Sequence, residues 1–170
     1  MKKNLPVPFV NQINETACAA AVLEMVYSFL GLKEIFQEDI FNKYATLATH
    51  GNIEITVENM VEDANSRGLI SKWNRVNYNN VEESIFELNK LVKKKEIPII
   101  VCQQYTKGSI PGHFRVVINI DKKFVYYHDP CKKYGGKNLK MRHKDFIDYW
   151  QPTGGSVTGG VYVLIEKVIK

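Results

Sequence analysis

The feature that most constrains this chain is an apolar segment from Ala17 to Leu30, which contains neither glycine nor proline and ends just before Gly31. Apolar residues occupy nearly every side of the helix that this pattern predicts, so we expect the helix to be buried in the centre of the fold. Cys18 lies at its start. A chain of 170 residues, 45% of them hydrophobic, can bury such a helix without disulfides or metals.

The rest of the pattern changes from helical to β along the chain. Further helices are predicted at 37–44, 57–67, 81–95 and, late in the chain, 143–150; strands are predicted at 99–102, 113–120, 124–128 and 161–166. Helices that come first, followed mostly by sheet, indicate an α+β fold rather than an alternating α/β fold. Because no linker or internal repeat is visible, we expect one domain over residues 1–170.

Charge and cysteine content argue against several classes of protein. The formal net charge is +5, but aromatic residues are not interleaved with the basic ones as a nucleic-acid groove requires, so nucleic acid is not a predicted partner. Three cysteines without CxxC spacing imply neither a complete disulfide framework nor a zinc site, and we expect a reducing, cytoplasmic compartment. The start of the chain, interrupted by Pro6 and Pro8, is too short for a signal-peptide core, and no segment is long enough to span a membrane.

Two residues at the entrance to the central helix suggest nucleophilic chemistry. The first turn of a helix carries partial positive charge, which favours the thiolate form of a cysteine such as Cys18. Gln12, on the loop that enters the helix, can donate its side-chain amide to an oxyanion that forms beside the Cys18 backbone N–H. Taken singly, Cys18 is what a small buried hydrophobe would also look like, and a lone loop glutamine is ordinarily solvated.

A histidine opens one of the predicted strands. His113 follows Pro111 and Gly112, where a side chain can be presented at a cleft. The apolar residues of the strand that alternate inward are Phe114, Val116, Ile118 and Ile120. His113 and Arg115 are therefore expected on the face away from the core. Because a histidine at a strand end is often only a surface residue, its function depends on its partners.

Asp129, at the end of the next strand, can accept a hydrogen bond from a histidine ring and hold the tautomer that a general base needs. A three-residue loop between the two strands would pair Ile120 with Phe124. Asp129 would then lie opposite Arg115, diagonal to His113 and on the same face. A two-residue loop would turn Asp129 to the other face. Because a proline follows it, Asp129 is also compatible with an ordinary turn starter.

Four stretches of the sequence together form a recognisable pattern. VPFVNQINETACAAA has a glutamine and a cysteine separated by five residues at the head of the central helix, GHFRVVINI and HDP supply a histidine and an aspartate, and HKDFIDYW follows. In order and spacing this pattern resembles the double-glycine leader peptidases that process bacteriocin precursors, a branch of the papain-like cysteine proteases. The resemblance extends over most of the chain.

The resemblance implies a papain-like fold, in which an amino-terminal helical part with a buried central helix packs on a carboxy-terminal antiparallel sheet. It also implies that Gln12 donates to the oxyanion, Cys18 is the nucleophile, His113 is its base and Asp129 orients that base. The substrate would be a peptide or protein hydrolysed after a double-glycine leader, with no metal or cofactor.

Two features depart from the pattern of that family. Ala19 stands where the family usually has a glycine after the cysteine, and its methyl group could narrow the substrate channel or alter the loop. Many relatives are the amino-terminal domain of a membrane ABC exporter, whereas this chain ends with its own closing strand. We therefore expect a free-standing peptidase, with a separate ABC exporter as a candidate partner.

Other functions are compatible with the same residues. The triad could transfer the acyl group to an amine in place of water, or a papain-like scaffold could bind a leader peptide without cutting it. A metal site of Cys18, His113, His128 and Cys131 is a weaker alternative, because no spacing forms a usual ligand pair. Cys131 could also lie near the cleft and tune or oxidise against Cys18, or it could be a passive thiol.

Overall fold

A computed structural model describes residues 3–48 and 51–168 of the chain. The elements are α1 (Cys18–Phe29), α2 (Gln37–Tyr44), β1 (Thr46–Leu47), β2 (Ile53–Glu54), α3 (Val57–Ser66), β3 (Leu69–Arg75), α4 (Val81–Lys95), β4 (Ile99–Gln104), β5 (Gly112–Ile120), β6 (Phe124–Asp129), β7 (Gly136–Arg142), α5 (His143–Asp148) and β8 (Val161–Lys167). Within these residues, six strands form one antiparallel sheet in the order β3-β8-β4-β5-β6-β7, and β1 pairs with β2 in a separate ribbon. The predicted α+β class is confirmed.

Helices cover both faces of the six-stranded sheet. The first core lies on the side of α1, α2 and α3 and includes Leu23, Val26, Met60, Val116 and Ile118. The second core lies on the side of α4 and α5 and includes Leu88, Val117, Ile120, Phe146 and Trp150. Nine of the twelve residues of α1 are buried, as expected for the central helix. No helix in the described ranges combines the length and the apolar character needed to cross a bilayer.

Local signals explain where the helices begin and end. After α1, Gly31 has φ +81°, its N–H donates to Ser28 O, and the Leu32 N–H donates to Tyr27 O, which together form a Schellman motif. At the start of α3, the Thr56 side chain accepts from the Asn59 N–H in a capping box. These signals can be read from neighbouring residues, so the predicted helix ends lie close to the observed ones.

The hairpin between β5 and β6 differs from the predicted one. Ile120 pairs with Val125, not with Phe124, because the Asp121 carboxylate accepts from two following backbone N–H groups and lengthens the turn by one residue. This register alone would turn Asp129 to the other face. A β-bulge between Val117 and Asn119 shifts the register back, so the far end of the hairpin has the predicted pairing.

The bulge also changes which side chains of β5 share a face. Phe114, Val116 and Ile118 contact the first core as predicted, but Ile120 contacts the second core, so its predicted placement was wrong. The opposite face of the strand is packed as well. His113 is therefore only 2% exposed and is not at the open surface that a simple alternation suggests.

Four strands were missed in the sequence pattern: β1, β2, β3 and β7. The first two are only two residues long, and the last two are the edges of the main sheet. Edge strands such as β3 and β7 bury few side chains, so exposed polar residues replace the apolar alternation by which a strand is recognised.

Candidate active site

Cys18 is the first residue of α1. Ala17, at the N-cap, provides no side-chain cap, and the first turn contains no acidic residue. The first backbone N–H groups of a helix have no partner within the helix, and here no side chain neutralises their partial positive charge. This end of α1 can therefore stabilise negative charge on the Cys18 sulfur and on an oxygen bound beside it.

The ring of His113 lies between Cys18 and Asp129. Its Nε2 is 2.7 Å from Asp129 Oδ1, and on the other side the ring interacts with the Cys18 thiol, which raises the pKa of His113 and lowers that of Cys18. Since Nε2 donates to the carboxylate, Nδ1 is the nitrogen left to face the sulfur. The structure thus brings together three of the four predicted site residues, although β5 and the start of α1 are separated by nearly a hundred residues in the sequence.

The charges of these three groups depend on one another. Burial raises the pKa of the Cys18 thiol, but its hydrogen bond to His113 and the positive charge there outweigh burial and bring the pKa below its ordinary value. Burial alone would lower the pKa of His113, yet Asp129 and Cys18 together raise it to about 9. Burial likewise opposes ionisation of Asp129, but His113 and Arg115 lower its pKa to about 2. The site therefore favours a thiolate beside an imidazolium.

Arg115 is a further residue of this site to which the sequence pattern assigned no function. Its Nε donates to Asp129 Oδ2 at 2.7 Å, and its other nitrogens donate to the backbone oxygens of Gln104 and Tyr105. The guanidinium is buried and holds the second oxygen of the carboxylate that binds His113. Its signal in the sequence was a charged residue on the same face as His113 within an otherwise apolar strand.

Gln12 lines the same cavity as Cys18 and His113. Its Nε2 donates to Asn14 O at 2.7 Å, which occupies one of the two amide hydrogens and leaves the other for an oxyanion. Its Oε1 is buried and has no hydrogen-bond partner among the described residues. The backbone N–H of Gln12 donates to Pro130 O at 2.9 Å, so the loop is tied to the chain next to Asp129.

Tyr105 shields the pair formed by His113 and Asp129. Its ring meets the His113 ring edge to face, with 5.0 Å between centroids and 78° between planes. Its hydroxyl lies 3.0 Å from Cys131 Sγ. Cys131 therefore lies near the cleft, as one of the two interpretations of this residue required, and it contacts Tyr105. No local feature of the sequence indicated the position of Tyr105.

The cavity has a volume of about 930 Å³ and is large enough for an extended peptide segment. All three cysteines of the chain are free thiols that line it, with Cys102 beside Cys18. Burial raises the pKa of Cys102 to about 12, whereas His113 brings the pKa of Cys18 below its ordinary value. Ala19, the residue that departs from the family pattern, also lines the cavity.

The alternative of a metal site fails on geometry. His128 Nε2 lies 3.0 Å from Val7 O, and His128 Nδ1 accepts from the Asn138 N–H at 3.1 Å. Both ring nitrogens are therefore used by the backbone. Within residues 3–48 and 51–168, no group of three or more histidine, cysteine, aspartate or glutamate side chains is arranged to hold a metal ion.

Comparisons with solved structures place the fold. A double glycine motif protease from an AMS/PCAT transporter, in complex with its leader peptide, is 20% identical, with a TM-score of 0.68 over 99% of this chain and 96% of that one. The peptidase domain of Streptococcus ComA, a bifunctional ABC transporter, is 21% identical, with a TM-score of 0.68 over 94% and 97%. A protein from Bacillus anthracis, proposed to be a C39-like peptidase, is 15% identical, with a TM-score of 0.71 over 99% and 100%.

At these identities the structures support the papain-like peptidase fold and do not assign the site. A search of curated proteins found no match. The model of the family described as Peptidase_C39 like, however, matches residues 4–158, which is most of the chain. This match, which agrees with the fold and with the cysteine at the start of α1, shows that the chain belongs to the Peptidase_C39 like family.

Proposed function

We propose that this chain is a cysteine peptidase in which Cys18, His113, Asp129 and Gln12 hydrolyse a peptide bond. The observation that carries the proposal is the position of the His113 ring, which is hydrogen-bonded to the Asp129 carboxylate and, on its other side, lowers the pKa of the Cys18 thiol. Family membership supplies the class of reaction, and the cavity provides room for a peptide.

In the proposed reaction, the Cys18 thiolate attacks a peptide carbonyl carbon, and the carbonyl oxygen becomes an oxyanion. The free amide hydrogen of Gln12 and the Cys18 backbone N–H donate to that oxygen. When the C–N bond breaks, the leaving amine takes the proton of His113, and a thioester remains on Cys18. Water then attacks the thioester, gives a proton to His113 and releases the acid, which restores the thiolate.

The proposed substrate is a peptide with a leader that ends in two glycines. This proposal comes from the solved relatives, one of which is named for the double glycine motif and contains a leader peptide. Because ComA is a bifunctional ABC transporter, an ABC exporter is the partner that we propose. Since the Cys18 thiol must stay reduced, we place the reaction in a reducing compartment such as the cytoplasm.

The test is cleavage of a peptide library that includes leaders ending in Gly-Gly, with wild type, Cys18→Ala and Cys102→Ala compared. We expect Cys18→Ala to lose turnover and keep its fold, as measured by circular dichroism, while Cys102→Ala keeps turnover. If only Cys102→Ala lost turnover, the nucleophile would be Cys102 and our assignment of Cys18 would be wrong. Equal activity of Cys18→Ala and wild type would refute it.

The same experiment separates the two other functions of this site. Products analysed with and without an added amine show whether the acyl group goes to water or to the amine, since only the acceptor differs. A domain that merely binds leaders would bind the library peptides without cutting them. Its Cys18 would also fail to react with iodoacetamide near neutral pH, because a thiol without an activating partner stays protonated.

A further inference from the structure

Gln37, the first residue of α2, contacts the loop that carries Gln12 from both sides. Its Oε1 accepts from the Ile13 N–H at 2.9 Å, and its Nε2 donates to Asn11 O, also at 2.9 Å. These two backbone groups belong to the residues that flank Gln12. The Gln37 side chain is only 5% exposed, so an unpaired donor or acceptor there would be costly, although both hydrogen bonds reach partly exposed backbone.

Gln37 is in turn tied to the helix that carries Cys18. Its backbone N–H donates to Glu24 Oε2 at 2.8 Å, and Glu24 lies within α1. A chain of hydrogen bonds therefore runs from α1 through Glu24 and Gln37 to the backbone on both sides of Gln12. It connects the element that positions the sulfur with the loop that positions the amide.

We propose that Gln37 is a positioning residue that holds Gln12 at a fixed position relative to Cys18. The Gln12 amide then points to the place where the oxyanion will form before substrate binds. This inference rests on the proposed function, because it assigns no purpose to Gln37 unless Gln12 donates to an oxyanion. It concerns a residue that is not part of the cavity lining.

The chemistry of the side chain explains why a glutamine suits this position. An amide side chain offers an acceptor and a donor side by side in one plane, and both are required to bind a backbone N–H and a backbone C=O at once. Residues 9–14, which carry Gln12, belong to no helix or strand. Besides the two bonds to Gln37, this loop is held by the bond from the Gln12 N–H to Pro130 O and by a longer one, 3.4 Å, from the exposed Lys132 Nζ to Ile13 O. Without Gln37, the loop would sample several positions, and an oxyanion donor that is misplaced by about 1 Å loses most of its effect.

The test is a double-mutant cycle between Gln37→Met, which keeps the size of the side chain and removes both hydrogen bonds, and Gln12→Ala. The substrate is a fluorogenic amide that ends in Gly-Gly. We expect Gln37→Met to lower kcat by about 10-fold and to change KM by less than about twofold, because the loss falls on the transition state. In the Gln12→Ala background, which itself costs about 100-fold in kcat, Gln37→Met should have almost no further effect.

A second readout reports the oxyanion site without turnover. A peptide aldehyde that ends in Gly-Gly adds reversibly to the Cys18 sulfur and places its oxygen in the oxyanion site, and its binding is measured as protection of Cys18 from iodoacetamide. We expect weaker aldehyde binding in Gln37→Met, about 10-fold, with an unchanged rate of alkylation of the free enzyme. A merely structural defect would change both.

Two further variants guard against loss of the fold. Ser84→Ala, on α4, removes the hydrogen bond of a buried hydroxyl to Asn77 O and should lower the melting temperature while leaving kcat unchanged. Glu24→Ala removes the hydrogen bond between α1 and the Gln37 backbone. It should lower kcat as Gln37→Met does, but by a smaller factor. If Gln37→Met does not fold, Glu24→Ala takes its place in the test. Unchanged aldehyde binding in Glu24→Ala would then overturn the inference.

The outcomes distinguish this inference from the proposed function. Wild-type kcat and aldehyde binding in Gln37→Met, or an equal loss in both Gln12 backgrounds, would overturn the positioning of Gln12 and leave the peptidase function intact. A wild type that binds the aldehyde without cleaving the amide would refute the peptidase function, and the aldehyde cycle would still judge Gln37. A wild type that does neither would refute both.

Discussion

Arg115 Nε lies 2.7 Å from Asp129 Oδ2, while the other oxygen of the same carboxylate binds His113 at the same distance. Both side chains of the ion pair are buried. The carboxylate is held at both ends and cannot rotate without breaking one of two charge-assisted hydrogen bonds. If His113 is the base, Arg115 controls its orientation through Asp129.

Replacing Arg115 tests this relationship. We expect Arg115→Met to lower kcat by roughly 10- to 100-fold, because Asp129 loses its fixed orientation and its pKa rises without the positive charge. The free energy of unfolding should fall by about 3–5 kcal/mol, since a buried carboxylate loses its ion-pair partner. Arg115→Lys keeps the charge but lacks the planar fork of donors. Its kcat and its free energy of unfolding should therefore lie between those of wild type and Arg115→Met. Wild-type kcat in a folded Arg115→Met would contradict this prediction.

The dependence of Cys18 on its partner should appear in a pH profile. Although burial raises the pKa of the thiol, His113 brings it below the ordinary value, so alkylation by iodoacetamide should already be fast at a pH below that at which a free thiol ionises. In His113→Ala, burial acts unopposed and the profile should move to higher pH. Mass spectrometry of the labelled Cys18 peptide measures both profiles, and two coincident profiles would contradict the prediction.

The alkaline side of the activity profile reports His113. Its pKa of about 9 means that the imidazolium loses its proton as pH rises through that value, and the leaving amine then lacks its acid. Turnover should therefore fall above about pH 9. The raised pKa also stabilises the folded state. This contribution is complete below about pH 6.5, the pKa of a histidine in the unfolded chain, and it is lost progressively as pH rises to about 9. A constant rate through this range would show that His113 does not carry the proton.

His128 should make stability sensitive to mild acid. Burial lowers its pKa, and its Nδ1 must stay unprotonated to accept from Asn138. The unfolded chain therefore binds this proton first, and the free energy of unfolding falls as pH decreases below about 6.5 until the folded pKa is reached. Thermal melts at several pH values measure the slope. His128→Leu should be less stable at neutral pH and should lack this slope; an identical slope in both proteins would disprove the assignment.

Gly112, the residue before His113, should not tolerate a side chain. A Cβ there would lie 3.1 Å from Cys102 Sγ and 3.2 Å from Ser156 Cβ, so the neighbours would have to move. We expect Gly112→Ala to cost roughly 1–3 kcal/mol of stability and part of the turnover. Cys102→Ala, which removes the close sulfur, should restore some of both when combined with it. If Gly112→Ala behaves as wild type, the wall beside His113 is looser than the structure indicates.

Local patterns explain how closely the helices could be predicted. The buried helix, the Thr56 cap and the turn at Gly31 depend on residues a few positions apart, so α1 to α4 were predicted almost to their ends. The strands β3 and β7 were missed because an edge strand is defined by hydrogen bonds to one distant neighbour and not by its own apolar pattern.

The sequence by itself determined which residues could react, because a cysteine at a helix start, a glutamine six positions before it and the two later motifs are visible without any contact. Only the tertiary structure decided how they meet. The parity of a β-pairing is not visible in either strand alone, and here a longer turn and a bulge compensate so that Asp129 reaches His113. Arg115 and Gln37 act through hydrogen bonds to residues far away in the chain, and such contacts exist only once the strands and helices have packed.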